Sequence, residues 1–83
     1  MIKTELNLKS LLPFDRVSAA LVAQTASRFE SRLTFETESF ILNAKSMLGL
    51  LSQPSFGNGL CSLVADGEDE TMASEAMMAL FQQ

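Results

Sequence analysis

"DRVSAALVAQTASRF", residues 15–29, sets the reading of the fold. Ala19, Val22, Ala23, Ala26 and Phe29 recur at the spacing of one helical face, which predicts an amphipathic helix turned toward a core. Asp15 stands just before it, where a carboxylate can accept a hydrogen bond from the free amides of the first turn. The flanks have a different period. Upstream, "MIKTELNLK" alternates, with Ile2, Thr4, Leu6 and Leu8 on one face and Lys3, Glu5, Asn7 and Lys9 on the other. That predicts a half-buried strand. "SLLPF" breaks it, because Pro13 cannot donate to a sheet ladder. Downstream, "RLTFET" alternates again with Leu33 and Phe35 on one face, and "FILN" can pair with it across Glu38-Ser39.

Further along, "KSMLGLLSQP" reads as a short helix capped by Ser46 and stopped before Pro54. "SFGNG" is a turn, and "LCSLVAD" is a strand with Cys61, Leu63 and Ala65 on one face. Gly67 ends that strand. The acidic "EDE", residues 68–70, opens a last helix, where negative charge suits the helix dipole. Ala73, Ala76, Met77, Leu80 and Phe81 form its apolar stripe, with Met72, Met77 and Met78 as gap-fillers. The order βαββαβα, with one-sided strands covered by helices, predicts a two-layer α+β sandwich on an antiparallel sheet. Residues 1–83 form one domain, since the chain is too short for two cores.

Composition narrows the function. The net charge is −4 and the chain has neither Tyr nor Trp, which disfavours nucleic-acid binding. No apolar run is long enough to insert in a membrane, and no basic-then-apolar signal opens the chain. A single cysteine, Cys61, has no partner for an internal disulfide, so the expected setting is cytoplasmic. Cys61 itself is expected to be a buried structural thiol. No histidine is present, which excludes Ser-His and Cys-His nucleophiles and histidine-built zinc sites. The acidic stretch lacks the alternating ligands of a calcium loop, and no metal or cofactor is expected.

Three segments carry a family resemblance. "VAQTASRFES" (22–31), "NAKSMLGLLS" (43–52) and "VADGEDE" (64–70) resemble HPr, the phosphocarrier of the bacterial phosphoenolpyruvate-dependent sugar phosphotransferase system. The resemblance runs the whole chain without a gap. It implies an open-faced β-sandwich, a four-stranded antiparallel sheet with three helices on one face. In that family a histidine caps the first helix and carries phosphate from enzyme I to sugar-specific components. An arginine follows two positions later, then a proline. Here those places hold Asp15, Val17 and Ser18, so no catalytic residue is expected. Arg16 does not replace the arginine, because a one-residue shift turns a helical side chain by about 100°.

The resemblance also implies a regulatory serine. In Gram-positive relatives the serine matching Ser46 is phosphorylated by HPr kinase/phosphorylase, and the modified form assists a catabolite repressor. The Crh branch lacks the histidine and works through this serine alone, which is the pattern this chain resembles. Ala20, Met47, Leu48 and Leu51 match the apolar patch with which family members dock partners, and "LLPF" beside Asp15 extends it. Val17, in place of the arginine, weakens the expectation of repressor docking. Asp15 keeps three readings: a helix cap, a built-in anion mimicking phosphohistidine, or an acceptor forming an acyl phosphate. A diverged paralogue that only binds partners is a further alternative. Ser46 also has an ordinary use as a helix cap, and Lys45 is either a steering charge or a solvated surface lysine.

Overall fold

The computed structural model describes residues 1–7, 15–38, 40–52 and 60–81. The elements are β1 (Ile2–Asn7), α1 (Arg16–Ser27), β2 (Arg32–Glu36), β3 (Ile41–Asn43), α2 (Met47–Ser52), β4 (Leu60–Asp66) and α3 (Glu70–Phe81). Every strand pairing is antiparallel, in the spatial order β1-β4-β2-β3. Leu8, Lys9, the "SLLPF" break, the "SFGNG" turn and the stop at Pro54 lie outside the described residues.

Alternation does in the sheet what the sequence predicts. Thr4, Leu63, Phe35 and Leu42 form one row across the four strands. Leu6, Cys61, Leu63, Ala65, Leu33 and Phe35 are buried on that face. Ala19, Val22, Ala23 and Ala26 from α1, Leu50 from α2, and Ala73, Met77 and Phe81 from α3 cover it. Phe35 meets Phe81 edge-on, with ring centroids 5.7 Å apart, a geometry that aligns the positive ring edge with the negative ring face.

Several positions depart from the simple periods. Val64 is buried although it points to the open face of the sheet. It lies on a central strand, flanked on its two sides by Lys3 and Thr34. Met72 is 66% exposed and fills no gap. It sits about 100° before Ala73 on α3, away from the buried stripe, whereas Met77 is fully buried. Phe29 lies beyond α1, which ends at Ser27 with Arg28 as its C-cap, yet Phe29 still packs against the core. Phe40 precedes β3 and closes the β2–β3 connection. There the Thr37 amide donates to the Phe40 carbonyl at 2.9 Å, and the Phe40 amide donates to Thr37 Oγ1 at 3.2 Å.

The acidic segment before α3 does more than complement a dipole. Asp69 reaches back to the approach of β2, accepting the Glu30 and Ser31 amides at 2.9 Å each and also the Ser31 hydroxyl. The Ser31 hydroxyl and the two backbone amides hold its carboxyl below the usual carboxylate range. Glu70 accepts from the Gly67 amide at 3.2 Å and pairs with the Met1 ammonium at 2.9 Å. Gly67 is needed for close approach, since a Cβ there would lie 2.7 Å from Ser31 Cα.

Candidate functional site

The site is built on two short stretches, the entrance of α1 and the entrance of α2. Asp15 is in extended backbone, and its Oδ1 accepts the Ser18 amide at 2.7 Å. That is the N-cap expected from the sequence: a short acceptor meeting an amide the helix leaves unpaired. The Ser18 amide, then the Ser18 hydroxyl, keep the Asp15 carboxyl below its ordinary range. The residue is exposed, as are Arg16 and Val17, so Asp15 is a solvated anion already engaged in holding the helix.

Ser46 repeats the device at α2. Its Oγ accepts the Gly49 amide at 3.0 Å, and its carbonyl accepts the Leu50 amide at 3.0 Å. Among the described residues the oxygen acts as acceptor, and a hydroxyl keeps a hydrogen to donate as well. Lys45 is not the free surface lysine of the ordinary reading. Its ammonium donates to the Phe29 carbonyl at 2.7 Å, and the side chain is half-buried. Its role is to tie the α2 approach to the segment leaving α1.

The candidate docking residues divide. Ala20 and Met47 come together, lining a groove of about 440 Å³ between α1 and α2 with Ala23, Gln24, Ser27 and Arg28. Leu48 and Leu51 do not line it. They lie on the outward side of α2, 77% and 42% exposed, while Leu50 between them is buried in the core. Two further exposed apolar side chains lie on α1. Val17 and Leu21 are 77% and 43% exposed, one turn apart on α1. Their signal was present: both lie off the Ala19-Val22-Ala23-Ala26 stripe at an i, i+4 spacing. Neither α1 nor α2 carries an acidic side chain.

Other reactive groups are elsewhere. Cys61 is buried on β4, and burial pushes its thiol up to about 11, far from a nucleophilic thiolate. Among the described residues, no cluster of three or more Cys, Asp or Glu side chains could hold a metal, and no helix is long and apolar enough to cross a membrane.

Residues 14–83 match the PTS-HPr family model, described as the PTS HPr component phosphorylation site. The HPr-like protein Crh of Halalkalibacterium halodurans is 31% identical over 83 residues, covering all of this chain and 99% of that protein. The HPr-like protein Crh of Bacillus subtilis is 38% identical over 81 residues, covering 98% and 93%. The crystal structure of HPr from Thermoanaerobacter tengcongensis superposes with a TM-score of 0.86 at 32% identity, over 99% of this chain and 92% of that one. The antiparallel sheet, the three helices on one face and the full-length matches make this chain a Crh-like member of the HPr family.

Proposed function

We propose that the chain is a noncatalytic, regulatory HPr-family protein, phosphorylated on Ser46 by HPr kinase and read by partners of carbon catabolite control. One observation carries the first half. The sequence contains no histidine, and the group at the mouth of α1, Asp15, is committed to capping Ser18. On this reading Asp15 stands where the family's phosphoacceptor stands, and the place is filled by a fixed anion at a helix end that favours one.

Support for Ser46 comes from its setting. Its hydroxyl is oriented by the Gly49 amide, and exposed apolar side chains lie next to it on α2. A phosphate there adds about −1.5 to −2 charge. It does so beside a docking surface whose two helices have no acid of their own. Partners with an arginine or lysine facing that point gain a charge-assisted bond, and partners offering carboxylates are repelled. The modification thus changes the choice of partner, with little refolding of a helix already capped.

The test is intact-mass analysis after two separate incubations, one with HPr kinase and ATP, the other with enzyme I and phosphoenolpyruvate. The expected result is one added phosphate in the first, lost in Ser46→Ala, and none in the second. An unmodified wild-type chain in the first incubation overturns the Ser46 reading. A hydroxylamine-labile phosphate in the second, lost in Asp15→Asn, establishes the acyl-phosphate alternative in its place.

A further inference from the structure

We infer that Gly49 is a positioning residue for phosphoryl transfer to Ser46: its missing side chain leaves the space in which the acceptor oxygen sits. The inference rests on the Ser46 reading above and goes one step further, to a residue with no reactive group.

The interior of a helix is a poor place for glycine, which weakens helices relative to alanine. Here it occupies the third position of a six-residue helix, where that weakness is felt most. Two distances account for it. The Gly49 amide donates to Ser46 Oγ at 3.0 Å. A Cβ on Gly49 would stand 3.1 Å from that same Oγ, and 3.4 Å from Leu42 Cδ1 and from Ser46 Cβ. The residue therefore supplies both the donor that aims the hydroxyl and the room it needs. An alanine can keep the donor or the room, but crowds the other.

The chemistry makes this matter. In the transfer, Ser46 Oγ forms a bond to the γ-phosphorus of ATP, the bond from that phosphorus to the bridging oxygen breaks, and ADP leaves. The hydroxyl proton passes to a base of the kinase. Oγ must lie on the line of attack, and such reactions lose rate steeply with small misplacement. A Cβ at 3.1 Å makes Oγ give by a few tenths of an ångström, off the position at which the Gly49 amide holds it.

Steady-state phosphorylation by HPr kinase and ATP, with thermal melts of the same samples, tests this on four chains: wild type, Gly49→Ala, Leu48→Ala, and Gly49→Ala with Leu42→Ala. The expected result for Gly49→Ala is a kcat several-fold lower, an unchanged KM for the protein, and a Tm at or above that of wild type. Leu48→Ala, on the outward side, raises KM and leaves kcat. The double variant, which empties the other side of the new Cβ, keeps the low kcat because the Oγ contact remains. Recovery of kcat there, a wild-type kcat in Gly49→Ala, or a Tm of Gly49→Ala well below wild type overturns the inference. In those cases Gly49 serves only packing, or nothing. A wild-type chain that takes no phosphate overturns the Ser46 reading itself.

Discussion

Replacing Gly67 with alanine tests how tightly the start of β2 is held. The new Cβ would lie 2.7 Å from Ser31 Cα, 2.7 Å from Ser31 Oγ and 3.0 Å from Ser31 Cβ. Carbon atoms rest about 3.5–4.0 Å apart, so the overlap with Cα is about 1 Å. Ser31 has no easy retreat. It is buried, its amide is bound to Asp69, and its hydroxyl is bound to the same carboxylate. Overpacking of this kind costs about 1–3 kcal/mol, and contact with backbone argues for the upper half of that range. For a domain of this size each kcal/mol is about 4–8 °C in Tm, giving an expected fall of about 10–20 °C. Thermal and urea melts of wild type, Gly67→Ala, Ser31→Gly and the double variant measure it. Ser31→Gly removes Cβ and Oγ but leaves Cα, so the double variant recovers only part of the loss caused by Gly67→Ala. A Tm for Gly67→Ala close to wild type, with the same urea slope, would show that the β2 approach yields freely and refute the reasoning.

Asp69 gives a pH dependence of known sign. Its folded carboxyl lies below the ordinary 3.8, so the folded chain binds fewer protons than the unfolded chain through that range. The stability it contributes is complete above about pH 4 and is lost as pH falls through the folded value. Asp15 acts in the same direction. Tm measured from pH 7 down to pH 2 should fall on the acid side, and Asp69→Asn should lower the plateau and flatten that fall. Cys61 should resist alkylation at pH 8 until the chain unfolds, because it is buried with a thiol near 11. Mass analysis with and without urea reads this directly, and rapid labelling of the native chain would contradict it. Leu48 and Leu50 should behave oppositely, one being 77% exposed and the other 1%. Leu48→Ala should move Tm little, whereas Leu50→Ala should cost about 2–5 kcal/mol, both read by urea melts.

The elements set by neighbours in the sequence were legible there. The period of two marks β1, β2 and β4, helical spacing marks the buried face of α1, and both caps, Asp15 and Ser46, bond to amides three residues on. What escaped depends on contacts across the fold. Asp69 binds residues 38 and 39 positions away, and Lys45 binds a carbonyl 16 positions back. No local pattern distinguishes such a carboxylate from a helix cap, or such a lysine from a solvated one. The apolar side chains on α1 and α2 fall between these cases. Ala20 and Met47, to which the resemblance points, line one groove. The exposure of Val17 and Leu21 follows from their place opposite the buried stripe, a deduction that periodicity alone permits.

That face gives the proposed modification its leverage. The chain has ten acidic residues for six basic ones, yet α1 and α2 have none of the ten in their lengths. A charge added where acids already crowd is a small relative change. Added at Ser46, about −1.5 to −2 units appear at the entrance of α2, beside the exposed Leu48 and Leu51 and beside Met47, which lines the groove with Ala20 and Arg28. Partner binding that depends on the phosphate should therefore weaken with salt, because exposed charges are screened over about 8 Å at physiological ionic strength. Binding of the unmodified face, being apolar, should hold or strengthen under the same titration. Opposite salt slopes for the two forms, measured with one partner, are what the charge distribution requires. Parallel slopes would mean that the phosphate is read somewhere other than this face.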